Sequence, residues 1–363
     1  MSGHVPTRGA VRGRGAKSNL SGRFESMQRE DFEDGWNERD REQEPPRLDD
    51  TLTPLRSRTI IAHNDSPDVG FSASINPYRG CSHGCIYCFA RPAHAYMNLS
   101  PGLDFESKLF FKPEASRLLE AELSNPRYVA APIHIGGDTD SYQPAERKLL
   151  ITRQVIEVLA RFQHPFSIIT KSALILRDLD LLATMAERDL VRVAVSITTL
   201  DRKLARAMEP RAATPERRLA AVQALASAGV PVTVMFAPVI PGLNDHELEG
   251  VLGRAAEAGA TSAGYVVLRL PMEIKDLFRE WLEVERPDRA RRVMSLVRQM
   301  RGGKDYDARW NTRMKGEGPI ADLIRQRFAK AKTRYGYLEA QAPLRTDLFR
   351  RPSRPGDQID LFG

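Results

Sequence analysis

The feature that most limits the fold of this chain is a regular alternation of short apolar runs and amphipathic stretches from residue 59 onward. Each apolar run is short enough for a buried strand, and successive runs lie roughly 30 residues apart, with a helix-period stretch between them. Such alternation predicts βα units and a parallel sheet. Six units are fewer than the eight of a closed barrel, so we expect an α/β fold, a partial (β/α)6 barrel of the TIM type. The six strands are predicted at residues 72–77, 132–136, 166–170, 191–197, 232–236 and 264–268, with a further short strand at 108–112 and helices at 113–124, 144–162, 178–188, 215–228, 245–258, 272–284 and 288–300.

In such sheets the chemistry collects at the carboxyl ends of the strands. Polar and glycine-rich residues of this chain gather at four predicted strand ends, namely residues 136–139, 170–172, 196–199 and 238–245. We therefore expect the functional site at this edge.

The chain divides by composition into four parts. Residues 1–58 are first basic, then acidic, and hold too few apolar residues to offset the entropy of ordering, so we predict a disordered tail, with a basic arm that touches nucleic acid as the alternative. Residues 59–271 are the predicted barrel. Residues 272–342 are a predicted helical, basic extension, and residues 343–363 a flexible linker.

The extension combines many cations with interleaved aromatic side chains, including Trp310, Phe328, Tyr335 and Tyr337. This composition suits a nucleic-acid surface built from phosphate contacts and base stacking, and it equally suits a solvated helix whose aromatic residues pack on the barrel. The formal net charge of +7 favours a polyanionic partner.

All three cysteines of the 363 residues lie within eight positions, as Cys81-x3-Cys85-x2-Cys88. A structural zinc site could use them with His83 or His94, although such sites usually bring paired ligands from two separate places. A redox C-x-x-C pair would leave Cys81 unexplained. An iron–sulfur cube held by three thiolates uses all three and leaves one iron open for another ligand.

This spacing, with an aromatic residue before Cys88, resembles the radical S-adenosylmethionine superfamily, and more specifically the bacterial family related to spore photoproduct lyase. The resemblance runs from about residue 75 to 270 and weakens toward 334. The phrases that carry it are Asn76-Pro-Tyr-Arg-Gly-Cys81, Gly137-Asp-Thr-Asp-Ser-Tyr-Gln-Pro144, Val195-Ser-Ile-Thr-Thr-Leu-Asp201 and Ala237-Pro-Val-Ile-Pro-Gly-Leu-Asn-Asp245.

The resemblance implies that Cys81, Cys85 and Cys88 bind a [4Fe-4S] cluster whose open iron chelates S-adenosylmethionine. One electron, from a donor of the flavodoxin or ferredoxin type, would then release a 5′-deoxyadenosyl radical that abstracts hydrogen from the substrate. The protein would supply positioning and the exclusion of water.

The resemblance also implies a set of cofactor-binding residues at the strand ends. The turn of Gly136, Gly137, Asp138 and Thr139 stands where the superfamily has a Gly-Gly-Glu turn that meets the methionine amino group. Lys171 and Ser196 match positions that touch the methionine carboxylate or the ribose, with an ion pair to Asp178 as the alternative for Lys171. The segment with Val239 and Pro241 would line the adenine, and Tyr87 would help to hold the adenine or pack the cluster.

One departure from spore photoproduct lyase concerns the hydrogen donor. That family uses an additional cysteine after the strand that carries the glycine turn, and this chain has no fourth cysteine. Tyr142 is the candidate relay residue here.

The chain ends in Gln358-Ile-Asp-Leu-Phe362-Gly363, which is similar to the peptide that bacterial repair proteins insert into the DNA sliding clamp. Gln358, Leu361 and Phe362 would supply the amide and the apolar anchor. Residues 346–349 are a second partial match, which we interpret as linker or as a docked segment.

These observations together predict a cytoplasmic radical enzyme that acts on nucleic acid, in a reaction of the DNA-repair type. The sequence has no run of about 18 apolar residues, so we predict no membrane span. The alternatives are a radical enzyme that modifies a protein or small molecule, and a zinc-stabilised adaptor that binds nucleic acid or the clamp without catalysis.

Overall fold

The computed structural model describes residue 11, residues 13–25 and residues 48–352. Its strands are β1 (Thr51–Pro54), β2 (Ile61–His63), β3 (Ala73–Ile75), β4 (Tyr78–Arg79), β5 (Lys108–Phe111), β6 (Ile133–Ile135), β7 (Phe166–Thr170), β8 (Val191–Ser196), β9 (Val232–Val239) and β10 (Ser262–Val267). Its α-helices are α1 (Leu103–Ser107), α2 (Ala115–Leu123), α3 (Glu146–Leu149), α4 (Ile151–Arg161), α5 (Leu179–Ala186), α6 (Arg202–Met208), α7 (Pro215–Ser227), α8 (Leu248–Glu257), α9 (Ile274–Glu285), α10 (Ala290–Gln299) and α11 (Gly318–Arg334).

The main sheet has seven strands in the order β10-β9-β8-β7-β6-β3-β2. The pairings from β3 to β10 are parallel, and β2 is an antiparallel edge strand. Within the described residues the two edges of the sheet, β2 and β10, are not paired with each other. The predicted partial (β/α)6 barrel is therefore confirmed.

Local sequence signals explain several boundaries. Helix α7 begins after Thr214, whose side chain accepts a hydrogen bond from Arg217, and has Pro215 in its first turn. The single helix predicted at 144–162 is instead divided at Leu150, which has a φ of 55°. The carboxylate of Glu146 accepts the backbone N–H of Thr152 at 3.0 Å and so satisfies the start of α4.

A second, smaller sheet positions the cysteine loop, which we define as residues 81–88. Its strand order is β1-β5-β4, and β4 leads directly into the loop. An apolar cluster then joins Cys85, Ile86 and Tyr87 to α6, α9 and α10, with Trp281 fully buried within it. The loop is thus packed between two sheets and a helical layer.

The predicted disordered tail is wrong for residues 13–25 and 48–58, the parts of it that the structure describes. Ala16 is fully buried, and Glu106 accepts the backbone N–H groups of Gly15 at 2.9 Å and Ala16 at 2.8 Å. Main-chain hydrogen bonds to a buried carboxylate order this segment, although it has few apolar side chains. Residues 1–10, 12 and 26–47 lie outside the described residues.

The basic extension packs on the barrel. Phe328 and Tyr337 are buried, Tyr335 packs against the same core, and Arg327 of α11 pairs with Glu249 of α8. Trp310 differs, since 52% of it is exposed. Three of the four aromatic residues of the basic extension therefore pack on the barrel.

The flexible linker predicted at 343–363 is wrong for residues 345–351. Arg345 and Arg350 donate backbone hydrogen bonds to Asp189 and Phe162, and the ring of Phe349 lies 5.5 Å from that of His164. These contacts dock the partial match at 346–349 on the amino-terminal end of the sheet. The predicted clamp-binding residues Gln358, Leu361 and Phe362 lie outside the described residues.

No helix of the described part combines the length and apolar character needed to cross a membrane.

Candidate radical site

The cysteine loop turns sharply at two glycines in the left-handed region, Gly80 (φ 75°) and Gly84 (φ 68°). A Cβ on Gly84 would lie 2.6 Å from the carboxylate of Glu106, so a larger residue would push into a buried charge. Backbone hydrogen bonds of Cys81 with Phe105 (3.1 Å) and of Ile86 with Met208 (3.0 Å) fix the loop at both ends.

The three thiols are free, with Cys81 and Cys85 buried and Cys88 half-buried. Burial raises the pKa of each thiol, to about 12 for Cys85. Buried thiols become ligands only when a metal displaces the proton. The surroundings therefore favour the neutral thiol in Cys81, Cys85 and Cys88, which are not exposed reactive thiolates.

A buried ion pair braces the loop from outside. Arg91 pairs with Glu106 at 2.5 Å and donates to the carbonyl oxygen of Cys85 at 3.0 Å. The same guanidinium donates to the carbonyl of Gly84 at 3.3 Å. Neither charged residue is exposed, and each is fully hydrogen-bonded, which is the arrangement a buried pair requires.

The loop after β6 clamps the other side of the cysteine loop. Thr139 donates to the carbonyl oxygen of Gly80 at 2.8 Å, and Gln143 accepts the backbone N–H of Ser82 at 3.0 Å. Gln143 also donates to Gly80 at 3.2 Å. These contacts bring the predicted glycine turn and the cysteines together.

The glycine turn leaves room beside its backbone. Gly136 has a φ of 90°, and the nearest atoms to a Cβ on Gly137 would be 3.9 Å away. Asn76 holds the turn by accepting the backbone N–H of Asp138 at 2.8 Å, and the Asp138 side chain is exposed. The buried hydroxyl of Ser141, beside Gly136, has no hydrogen-bond partner within the described residues.

Asp140 links this turn to the end of β7. Its carboxylate accepts the hydroxyl of Thr170 at 2.7 Å and the backbone N–H of Lys171 at 2.8 Å, and it lies 3.3 Å from His83 of the cysteine loop. Burial alone would raise the pKa of Asp140, but His83 and these hydrogen bonds hold it well below its usual range. The charged carboxylate thus ties two strand ends to the loop.

Lys171 lies at the end of β7 with its ammonium 5.7 Å from the ring centroid of Tyr87. Burial opposes its charge, but the neighbouring Cys85 and Glu209 outweigh that effect and raise its pKa. The ion pair with Asp178 is not formed, because Asp178 pairs with Arg153 and Arg177.

A second buried pair, Glu209 with Arg218, lies beneath Tyr87. Glu209 accepts hydrogen bonds from Arg218, from the hydroxyl of Tyr87 and from Thr198. Arg218 also donates to the carbonyl oxygen of Ser196 at 3.0 Å. Burial would raise the pKa of Glu209, but Arg218 and Lys171 lower it. The pair therefore fixes both Tyr87 and the end of β8.

The loop after β9 is held by Asn244. Its amide accepts the backbone N–H of Ile240 at 2.7 Å and donates to the carbonyl oxygens of Thr198 at 2.8 Å and Pro238 at 3.0 Å. Val239 and Pro241 are buried in this loop. The predicted adenine-binding segment is consequently rigid and joined to the end of β8.

Tyr142 stands apart from this arrangement. Its hydroxyl donates to Asp178 at 2.9 Å, and the residue is fully buried. This contact favours a structural role for Tyr142 over the predicted relay.

Sequence reasoning missed the residues that hold the site together, namely Asn76, Glu106, Asp140, Gln143, Glu209, Arg218 and Asn244. Asn76, Asp140, Gln143 and Asn244 do lie within the motifs that carried the resemblance. Glu209 and Arg218 gave no signal, because charged residues at helix ends are usually solvated.

Three free thiols in one loop suit an iron–sulfur cluster, whose irons take thiolate ligands. Within the described ranges, no three His, Cys, Asp or Glu side chains are grouped closely enough to hold a single metal ion. A structural zinc needs four donors around one point, whereas a cluster spreads its thiolates over separate irons.

Comparison with known proteins agrees with this chemistry. The profile of the Radical SAM superfamily matches residues 75–255. An uncharacterised protein of Mycobacterium tuberculosis is 39% identical over 230 residues, 63% of this chain and 68% of its own length. Another uncharacterised protein, of Methanocaldococcus jannaschii, is 26% identical over 225 residues, 62% of this chain and 80% of its own length.

Among solved structures, the chain is similar to a spore photoproduct lyase variant with bound AdoMet and dinucleoside spore photoproduct. The two superpose with a TM-score of 0.57 at 14% identity, over 79% of this chain and 80% of the lyase. The likeness shows a shared fold. The chain described here belongs to the radical S-adenosylmethionine superfamily.

Proposed function

We propose that this protein is a radical S-adenosylmethionine enzyme that acts on nucleic acid. The observation that carries the proposal is the meeting of three free thiols, two of them buried, with a charged lysine and an open glycine turn at the carboxyl edge of a partial barrel. Cys81, Cys85 and Cys88 would hold the [4Fe-4S] cluster. Bound there, the cluster and S-adenosylmethionine would supply the chemistry of radical hydrogen abstraction.

The residues of this chain would bind and orient the cofactor. The ammonium of Lys171 would donate to the methionine carboxylate, and the backbone beside Gly137 offers room for the methionine amino group. Ser196 and the loop with Val239 and Pro241 would contact the ribose and adenine. Tyr87, held by Glu209, would keep water from the loop.

Nucleic acid is the substrate class that the charge and the fold favour. The formal net charge is +7, and the superposed lyase was solved with a dinucleoside photoproduct. Because the sequence holds three cysteines, all in the loop, a cysteine outside the cluster cannot donate hydrogen here. We therefore infer a reaction that differs from the lyase in its hydrogen donor.

Anaerobic purification tests the first part of the proposal. We expect brown protein with about four irons per chain, and loss of colour in Cys81→Ala, Cys85→Ala and Cys88→Ala. Ser82→Ala is the matched control, because the buried hydroxyl of Ser82 has no partner within the described residues. Colourless wild-type protein carrying one zinc would support the non-catalytic adaptor instead.

The reaction itself is tested by 5′-deoxyadenosine formation under reduction by flavodoxin, ferredoxin or dithionite. We expect that an oligonucleotide substrate stimulates this product and takes part in hydrogen exchange with it. Stimulation by a protein fraction, with none by nucleic acid, would favour a radical enzyme that modifies protein.

A further inference from the structure

Arg269 places a guanidinium at the carboxyl end of β10, the same edge of the sheet as the cysteine loop. The guanidinium carbon lies 5.1 Å from the ring centroid of Phe89, the residue that follows Cys88. Arg269 is half-buried, and 46% of Phe89 is exposed. The cation and the ring therefore form one surface at the mouth of the proposed site.

The hydrogen-bonding capacity of Arg269 is almost unused. Its buried Nε has no partner, and its Nη1 contacts only the sulfur of Met314, at 3.5 Å. Within residues 48–352 no carboxylate pairs with it. By contrast, the buried Arg91 and Arg218 are each paired with a glutamate. A guanidinium stays charged and has five donors, so leaving it unpaired at a half-buried position is costly without an external anion.

A second guanidinium, Arg301, lies beside this point, where it also feels the charges of Asp307 and Glu317. Arg301 donates to the carbonyl oxygen of Leu268 at 2.9 Å, one residue before Arg269, and its own Nε has no partner among the described residues. Burial, together with the charge of Arg269, lowers the pKa of Arg301. An anion bound at Arg269 would relieve both charges.

We propose that Arg269 binds a backbone phosphate of a nucleic-acid strand while the exposed ring of Phe89 packs against an adjoining base. The planar fork of the guanidinium matches a phosphodiester, and aromatic rings beside cations are the usual platform for single strands. This inference rests on the proposed function and names how its substrate is held.

The test is fluorescence anisotropy of a labelled oligothymidylate with anaerobic holoprotein at several salt concentrations. Arg269→Gln should weaken binding about tenfold or more and reduce the slope of log affinity against log salt by about 1. Arg269→Lys should recover part of the affinity. The control is Arg117→Gln, which removes an exposed arginine of α2 that pairs with Glu114 and should leave both quantities unchanged.

Phe89→Leu provides an independent variant if Arg269→Gln loses iron or fails to fold. It should weaken binding while the salt slope stays at the wild-type value, because it removes stacking and no charge. If Phe89→Leu and every Arg269 variant that folds bind the oligothymidylate as tightly as the wild type, the inference is overturned.

The outcomes separate this inference from the proposed function. If wild-type protein cleaves S-adenosylmethionine but binds no oligonucleotide, the phosphate site is overturned while the radical chemistry stands. If Arg269→Gln weakens only S-adenosylmethionine binding, the anion is the cofactor's carboxylate and the inference is wrong. Colourless wild-type protein that still loses oligonucleotide affinity in Arg269→Gln would support the phosphate site and overturn the radical chemistry.

Discussion

Lys171 brings a positive charge into a site whose deeper cations, Arg91 and Arg218, are already paired with carboxylates. Within the described residues its ammonium makes no hydrogen bond or ion pair, and it faces the ring of Tyr87. Its backbone is nevertheless fixed, because Asp140 accepts its N–H. A rigid backbone with an uncommitted charge suits a residue that awaits an anionic ligand.

Replacing Lys171 by methionine tests its proposed contact with the methionine carboxylate. A hydrogen bond to a charged group contributes about 1.5–3 kcal/mol, so we expect affinity for S-adenosylmethionine to fall at least about tenfold. Equilibrium dialysis of the anaerobic, iron-loaded variant measures this. Lys148→Met, at an exposed position on α3, is the control, and equal affinity in both variants would remove Lys171 from the cofactor site.

At this scale the sequence predicted the cysteines and the glycine turn from spaced motifs, and Lys171 from its position at the end of a predicted strand. It could not locate Glu209 or Arg218, whose importance depends on their burial together. Burial of a pair is a tertiary property, and a lone charge in a sequence is most often solvated.

Among the elements, the N-terminal segment at 13–25 shows the largest departure from expectation. Gly15 approaches the cysteine loop so closely that a Cβ there would lie 1.9 Å from the carbonyl oxygen of Gly84. Composition predicted disorder because the segment has few apolar residues, yet it is held by main-chain groups and small side chains, which carry little hydropathic signal.

Gly15→Ala should therefore displace the segment from the cysteine loop. Limited trypsin digestion with mass spectrometry should show faster cleavage after Lys17, which is buried and paired with Glu285 in the wild type. Gly70→Ala is the control, because a Cβ on Gly70 meets no atom within 4 Å. Identical cleavage of the two variants and the wild type would show that the close approach does not hold the segment.

The amino-terminal end of β7 carries a histidine whose ionisation opposes folding. Burial lowers the pKa of His164 from 6.5 to about 4, and its ring contacts the hydroxyl of Tyr128 at 2.8 Å. Because the folded-state pKa is the lower one, the stabilisation is complete above pH 6.5 and is lost as the pH falls toward 4.

When the pH is lowered from 7 to 5, protonation of His164 in the unfolded state should reduce the free energy of unfolding by about 2 kcal/mol. Urea denaturation of the anaerobic protein at the two pH values measures the loss, and His164→Asn should reduce it by that amount. An equal pH dependence in His164→Asn and wild type would refute the assignment.

Across the whole molecule, the open barrel is bridged by the segment at residues 311–314. Met314 accepts the backbone N–H of Val267, in edge strand β10, at 2.9 Å. Asn311 donates its backbone N–H to Asp68 at 2.6 Å, and Arg313 pairs with the same carboxylate, in the loop beside edge strand β2. The sequence predicted the open barrel from its six βα units, but it could not predict this bridge, because the pairing joins residues about 245 positions apart.

Removing the carboxylate of Asp68 should release the bridge. Its side chain is 2% exposed, and loss of one partner from a buried pair costs roughly 3–5 kcal/mol. We expect Asp68→Asn to lower stability by about 3 kcal/mol and to speed hydrogen exchange in residues 311–314. Asp65→Asn, at an exposed position in the same loop, should do neither, and equal exchange in both variants would contradict a bridging role.

The docked segment around Phe349 has a practical consequence for handling the protein. The described part of the chain ends just after this segment, at the amino-terminal end of the sheet. Gly15, by contrast, contacts the cysteine loop on the carboxyl side. An affinity handle or surface tether should therefore be attached beyond Pro352. Pro352 lies at the opposite end of the barrel from the cysteine loop, whereas bulk placed near Gly15 would press on that loop.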